Sequence, residues 1–395
     1  MKQVAILGGG PAGAMAAERL ARSGVRAVLL DEKLAWEKPC GGGITYKAYQ
    51  QYPFLRDNNT PKKVVTETFL DAPPAGSVKM RLAEPLLIYS RYDLNRILLE
   101  RAERAGAQIE KTRVLDLERR DCGWRLRTRH GTIDADFCVV ATGARNPLRA
   151  VGTEWTASDT MYALGYYVPN EQNHIDIQFP PGLEGYIWVF PRNGHLSVGI
   201  CGKGEPASAL RARLERYMDE RGISRKEAKF YGHVLPSLEN PAWRRNRVSG
   251  EGWIAAGDAA GFVDPITGEG LYYAIRSGDL AGEAILAEHS SLAAKAHAYR
   301  AMIERDFAAD LAFGATLAKH VFLGRFLFST VPAQMVRFLR RSPRFYSLMQ
   351  DLFAGTQPYG TLKGRLFRNL NGTLHEIVMN FFLHRLIPRA NRAAG

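Results

Sequence analysis

Gly257-Asp258-Ala259-Ala260-Gly261-Phe262-Val263-Asp264-Pro265, running on through Gly268-Glu269-Gly270, decides the fold when read with Gly8-Gly9-Gly10-Pro11-Ala12-Gly13 far upstream. Lys2 to Leu7 reads as a buried strand, and Pro11 onward as a helix with apolar spacing through Leu20. Glycines between them permit a tight turn and bring backbone N–H groups close to a pyrophosphate, which the positive helix end also attracts. Val25 to Leu30 reads as the second strand. Asp31, eighteen residues after Gly13, stands where an acid accepts hydrogen bonds from an adenosine ribose. In the later stretch, Trp253 to Ala256 reads as a short strand with Asp258 at its C-terminal end. An acid there can bond ribityl or ribose hydroxyls in the crevice of an open α/β sheet; the alternative is a helix N-cap. Pro265 to Gly270 then opens a helix through the Leu271–Leu286 region, whose free N–H groups can stabilise negative charge on a reduced flavin. Alone the first motif signals only a dinucleotide. The two together point to FAD.

Working outward, the dinucleotide unit is discontinuous. Residues 1–60, 91–155 and 248–290 read as the FAD-binding domain, and 61–90 with 156–247 as an inserted β-rich substrate domain. Residues 291–395 read as a basic helical region. The second FAD-domain segment begins with a helix from Tyr92 to Gly106 and a strand from Ala107 to Val114. A meander follows, ending in Phe137-Cys138-Val139-Val140. Val114 and the turn Ala141-Thr142-Gly143 are candidate cofactor contacts, the turn because its small residues let backbone approach the ligand. Alternation places inserted strands at Met161–Val168, Ile175–Phe179, Gly185–Phe190 and Leu196–Ile200, with one helix from Pro206 to Arg221. The fold class is α/β, α+β overall: a Rossmann-like domain, a β-rich insertion and a helical C-terminal region.

The chain has 395 residues and is 46% hydrophobic, enough for two or three domains. Cys40, Cys122, Cys138 and Cys201 are too scattered for a metal site or a disulfide framework, which suits a reducing cytoplasm. No run of eighteen apolar residues predicts a transmembrane helix. The formal charge of +13 is concentrated late: residues 291–395 carry 15 Lys and Arg against 5 Asp and Glu. That region interleaves charge with bulky apolar residues, as in His320-Val321-Phe322-Leu323-Gly324-Arg325-Phe326-Leu327-Phe328. Two readings stay open: a subdomain whose apolar face packs on the flavin domain, or a peripheral surface lying on anionic lipid at the inner face of the membrane. No nucleic-acid-binding fold accompanies the charge, so nucleic acid is not expected as a partner.

Two further segments, Pro39-Cys40-Gly41-Gly42-Gly43 and Gly185-Tyr186-Ile187-Trp188-Val189-Phe190-Pro191, join the glycine motifs in a pattern that resembles the geranylgeranyl reductase family of flavoproteins, built on the p-hydroxybenzoate hydroxylase fold. The resemblance in order and spacing spans roughly residues 1–290. It implies that Cys40 and Gly41 lie beside the isoalloxazine ring, that Gly42 also contacts the cofactor, and that Arg91 contacts the FAD phosphates or ribityl. It also implies that Tyr186 and Trp188 line a cavity for an isoprenoid chain. With Gly8, Gly10, Pro11, Ala12, Gly13, Asp31, Gly257, Asp258, Pro265, Gly268, Glu269 and Gly270, these make up the expected cofactor site, with Cys40, Tyr186 and Trp188 as catalytic candidates. Cys40 also reads as a turn-filling residue, Tyr186 and Trp188 as core, and Arg91 as a surface ion-pair partner.

The activity implied is reduction of an isoprenoid carbon–carbon double bond by hydride from reduced FAD, with a proton from Cys40, Tyr186 or an ordered water. The expected substrate is a lipophilic small molecule. No second glycine-rich nucleotide turn is present, so the implied electron donor is NAD(P)H binding transiently or a ferredoxin-like protein. The rival is an FAD-dependent monooxygenase or halogenase of the same fold acting on an aromatic or polyketide, because a fold does not settle a reaction. A membrane-surface electron carrier would need a second redox centre, which four scattered cysteines do not supply.

Overall fold

The computed structural model describes residues 3–365, apart from 149, 327 and 363. The first unit is β1 (Gln3–Leu7), α1 (Pro11–Arg22) and β2 (Arg26–Leu30). β1 and β2 pair in parallel and extend into a six-stranded sheet with β6 (Gln108–Glu110), β10 (Phe137–Val140), β16 (Ser249–Gly250) and β17 (Trp253–Ala255), in the order β16-β17-β10-β1-β2-β6. Val4 to Leu7 and all of β10 are buried, as continuous apolar runs are when both faces of a parallel sheet are covered. α6 (Leu271–Leu286) crosses α1 so closely that a Cβ on Gly278 would come to 2.1 Å from the Ala12 carbonyl oxygen. α3 (Arg91–Arg104) packs on α1 as well.

The second sheet has eight strands. Its members are β3 (Gly43–Ile44), β4 (Lys63–Ala72), β5 (Gly76–Ile88), β11 (Thr160–Val168), β12 (Ile175–Gln178), β13 (Glu184–Arg192), β14 (His195–Lys203) and β15 (Lys229–Pro236). They run β15-β11-β14-β13-β12-β4-β5-β3, antiparallel except for the parallel β12–β4 pair. The four strands expected between residues 156 and 247 are present. β15 is an addition, because KFYGHVLP lacks regular alternation. β3, assigned above to the flavin domain, pairs with the end of β5 and ties the Cys40 loop to this sheet. α4 (Ala207–Glu220) covers the sheet's outer face, where Leu210, Leu214, Tyr217 and Met218 meet Val198 and Ile200. The meander is β7 (Val114–Arg120), β8 (Gly123–Thr128) and β9 (Gly131–Ala135), and short helices α2 (Tyr46–Gln51) and α5 (Asn240–Arg245) complete the connections.

The helical region divides between the two sheets. α7 (Leu292–Ile303) lies against α6, and a π turn (Glu304–Ala308) leads into α8 (Ala309–Leu323). A small hairpin, β18 (Arg325–Phe326) and β19 (Ser329–Thr330), precedes α9 (Val331–Arg341) and α10 (Pro343–Ala354). α9 and α10 cover β4 and β5, and Ala333, Val336, Leu339 and Met349 join Val65, Leu70 and Trp188 in one core. The rest of the expected basic tail, residues 366–395, lies outside the described residues. Among the described residues no helix is long and apolar enough to cross a membrane.

Candidate active site

The glycine turn after β1 divides its work among its members. Gly8 has φ +116°, and a Cβ there would lie 2.3 Å from the Ala141 carbonyl oxygen. A Cβ at Gly13 would lie 1.9 Å from the Gly8 carbonyl oxygen. Both substitutions would collide with backbone, so these glycines close the turn. Gly10, the N-cap of α1, has no protein atom within 4 Å of its Cβ position and lies on the wall of a large cavity. No side chain caps α1, so its first N–H groups stay available for an anion. Asp31 fastens the next loop: one carboxylate oxygen accepts from Gly9 N at 2.7 Å, the other from Lys33 N and Leu34 N at 2.7 and 3.0 Å.

The second glycine stretch meets this turn from the other side. Gly257, at φ +62°, sits between the methyl groups of Ala12 and Ala274, and its N–H donates to Ser277 Oγ at 2.9 Å. Asp258 follows on the cavity wall and accepts from Lys38 Nζ at 3.1 Å. Burial pushes this carboxyl up, but Lys38, His233 and Arg91 outweigh it and hold it below the ordinary range. His233 is pushed down to about 4, first by burial and then by Lys38, so it is neutral near pH 7. Arg91, 3% exposed and also on the cavity wall, reaches Asn95 at 3.3 Å, and its Nε has no partner among the described residues. An open glycine at a helix start and an orphaned buried guanidinium N–H fit a dinucleotide with phosphate and hydroxyl groups.

Between Asp258 and α6 the chain forms a hydrogen-bonded turn. Asp264 accepts from Ile266 N and Thr267 N at 2.9 and 2.8 Å, and from the hydroxyl of Tyr359, beyond α10, at 2.8 Å. Glu269 accepts from Tyr272 N at 3.0 Å, capping α6 from within the cavity. Burial, with the charge of Asp264, pushes Glu269 up to about 7. Lys47 faces this group. Burial pushes its ammonium down, against the opposing pull of Asp306, Glu269, Asp310 and Asp264.

The Cys40 loop is clamped from the second sheet. Gly41 and Gly43 pack against the Phe190 ring, each Cβ position 3.2–3.3 Å from it. Gly42 has φ +81°, and a Cβ there would lie 2.2 Å from the Tyr89 carbonyl oxygen. Arg192, fully buried at the end of β13, donates to the Cys40 carbonyl and to Glu37. Ser197 Oγ donates to the same carbonyl at 3.2 Å and bonds Tyr231 Oη at 2.8 Å. Trp188 Nε1 donates to Ser197 Oγ at 3.4 Å, and its indole fills the space above Gly199. The Cys40 thiol accepts from Gly42 N at 3.3 Å. Tyr186 donates its hydroxyl to the Thr267 carbonyl, and burial holds the phenol well above its ordinary value.

These groups share one cavity of about 1040 Å³. Its wall carries Gly10, Pro11, Ala12, Cys40, Gly41, Gly42, Arg91, Ala141, Gly143, Tyr186 and Trp188, with Gly257, Asp258, Gly268, Glu269 and Gly270. Gly8, Gly13, Asp31, Thr142 and Pro265 lie behind or beside that wall, and Val114 starts β7 opposite Thr128, away from it. Beyond the dinucleotide end the lining turns apolar, with Ile177, Phe179, Phe338, Phe345, Met349 and Phe353. The last four come from α9 and α10. Sequence reasoning missed Glu37, Arg192, Ser197, Lys47 and Tyr359. Only Arg192 left a signal, as a charge closing the apolar and aromatic run from Tyr186 to Pro191.

The pyridine nucleotide-disulphide oxidoreductase family matches residues 2–162, and the FAD dependent oxidoreductase family residues 88–281. The chain is 30% identical to the chloroplastic geranylgeranyl diphosphate reductase of Oryza sativa subsp. japonica, over 72% of this chain and 66% of the rice protein's length. It is 29% identical to the menaquinone reductase of Mycobacterium tuberculosis, over 71% of this chain and 75% of that one. Among solved structures, a geranylgeranyl bacteriochlorophyll reductase-like protein from Thermoplasma acidophilum aligns with a TM-score of 0.68 at 22% identity, covering 89% of this chain and 100% of that one. A flavin-dependent brominase, Bmp2, shares the fold with a TM-score of 0.67 at 16% identity, over 89% of this chain and 93% of that one.

Proposed function

The chain belongs to the geranylgeranyl reductase family of FAD-dependent oxidoreductases, and from that premise we propose that it saturates carbon–carbon double bonds in a long isoprenoid chain. The observation that carries this reading is the single cavity, which runs from the dinucleotide cradle past Cys40 into an apolar chamber walled by α9 and α10. Its volume, about 1040 Å³, lies at the upper end of the roughly 300–1,000 Å³ of ligand pockets, in keeping with a large cofactor and a chain sharing one site. The open helix start at Gly10, with Arg91 and Asp258, would hold FAD, which when bound and reduced would supply the hydride.

The protein's own part is positioning, exclusion of water and proton supply. Arg192, Ser197 and Glu37 fix the Cys40 loop, so the floor of the chamber does not shift when a flexible chain enters. Tyr186 is a poor acid, because its phenol is raised and its proton is committed to Thr267. Glu269 keeps its proton to about pH 7 and faces the cavity, which makes it a better reservoir than Tyr186. Reducing equivalents reach the flavin from transiently bound NAD(P)H or a ferredoxin-like protein.

An anaerobic single turnover tests the reading. Reduced protein mixed with a geranylgeranyl lipid should yield product heavier by two hydrogens, with flavin reoxidised in step. Flavin that reoxidises only when oxygen is admitted, with no anaerobic product, would overturn it in favour of the monooxygenase or halogenase chemistry this fold also supports.

A further inference from the structure

The hairpin β18–β19 stands out among the exposed apolar groups. Of the large hydrophobic side chains exposed among the described residues, Leu323, Phe326 and Phe328 fall within six positions, and Phe328 is the most exposed at 86%. Phe328 also adopts φ +64°, a left-handed conformation that a bulky residue rarely takes. A strained and solvated phenylalanine gains nothing for the folded chain alone. The strain is held by the β18–β19 pairing and by Gln334 Nε2, which donates to the Phe326 carbonyl at 3.1 Å.

Two further observations identify the partner. The hairpin adjoins the cavity: Gly324, Arg325 and Phe326 lie on its wall with His320 and Val331, so the apolar tip lies where the chamber meets the surface. The surrounding sequence is one-signed. From residue 311 to 350 the chain has Lys319, Arg325, Arg337, Arg340, Arg341 and Arg344, and no Asp or Glu. Exposed aromatic residues flanked in sequence by cations, with no carboxylate among them, match the interface of an anionic bilayer, where rings settle at headgroup depth and cations meet lipid phosphates. We propose that the β18–β19 tip inserts Phe326 and Phe328 into an anionic lipid surface and sets the mouth of the cavity against the acyl layer. A chain could then pass from bilayer to chamber without crossing water. The idea rests on reading the chamber as a lipid-chain site, but its test is free of catalysis.

Full-length FAD-loaded protein would be sedimented with extruded vesicles of phosphatidylcholine alone and of phosphatidylcholine with phosphatidylglycerol. The parent should partition onto the anionic vesicles. Phe328→Gly should weaken partitioning several-fold, and Phe326→Ser with Phe328→Gly at least tenfold. Glycine accepts the left-handed conformation, so Phe328→Gly should melt no lower than the parent, which separates lost docking from lost folding. Phe230→Ser, removing a ring on β15 as exposed as Phe326, should leave partitioning unchanged. A parent that stays in the supernatant, or a double variant that partitions equally, would overturn the proposal. A dimeric parent that becomes monomeric on Phe328→Gly with vesicle binding intact would overturn it too, assigning the tip to a second copy of the chain. None of these outcomes depends on alkene reduction, so a failed turnover experiment leaves this one readable.

Discussion

A methyl group added at Gly13 would come to 1.9 Å of a backbone oxygen, whereas one added at Gly10 would meet nothing within 4 Å. The two glycines look equivalent in sequence, yet they should fail in opposite ways. Gly13→Ala should cost about 3 kcal/mol or more in stability, since backbone on both sides must move. Gly10→Val should keep its melting temperature without cofactor but lose flavin absorbance on purification, because the side chain would fill the open space where a cofactor phosphate is expected. Circular dichroism melts and visible spectra of both variants check this, and a yellow Gly10→Val protein would contradict it. Glu269 gives the second single-residue prediction. Its ordinary value of 4.5 applies unfolded and about 7 folded, so the folded state holds a proton that the unfolded chain has released. Its contribution to stability is full below the unfolded value and is lost as pH rises through the folded one. Glu269→Gln should therefore flatten the fall in stability between about pH 5 and pH 8 and gain on the parent above pH 7, as read by thermal melts across that window.

The Cys40 loop is held less by its own glycines than by the end of β13. Arg192 is fully buried and bridges Glu37 and the Cys40 carbonyl. Removing it strands a partly buried carboxylate, at a cost of about 3 kcal/mol. The low end of the usual range applies because Glu37 keeps bonds from Ser90, Arg91 N and Tyr92 N and some solvent contact. Arg192→Ala should thus lower the denaturation midpoint and, on the proposed reading that the loop flanks the flavin, perturb the visible spectrum of bound FAD. Arg192→Lys should fall between, having charge without the forked geometry. An unchanged flavin spectrum in Arg192→Ala would detach the loop from the cofactor. α9 and α10 depend on the same sheet: their inner residues complete the core over β4 and β5 and supply much of the chamber's apolar wall.

Over the whole molecule, charge is distributed unequally, and the structure separates two uses of it. Arg337 and Arg340 reach the Pro74 and Ser77 carbonyls at 3.5 and 2.7 Å, so reversing them would disturb the packing of α9 on the β4–β5 turn. Arg341 and Arg344 are exposed, and they test the field alone. Arg341→Glu with Arg344→Glu should weaken partitioning onto anionic vesicles at low salt. The difference should shrink as ionic strength shortens the screening length to about 8 Å near 0.15 M. Vesicle sedimentation across a salt series measures it, and a salt-independent difference would mean that the substitutions act through the fold.

Local pattern alone determined the dinucleotide unit, because its signals are properties of neighbouring residues. Glycines stand where a turn needs positive φ or open space, a proline starts α1, and apolar runs make buried parallel strands. Most inserted strands were legible through their alternation, whereas β15 was not, since a strand with irregular burial carries no period. The candidate site was legible at Gly10, Cys40, Gly257 and Asp258. Its supports were not, because they are made by contacts between distant segments. Lys38 meets Asp258, Arg192 meets the Cys40 carbonyl, and Tyr359 meets Asp264 across 95 positions. The tail showed the same limit. Its sequence held basic and aromatic residues with two readings open, and only tertiary packing assigned α9 and α10 to the chamber wall and left Phe326 and Phe328 in solvent. A helix face has the same pattern whether it meets a sheet or a membrane, and what it meets depends on which distant surface is left uncovered.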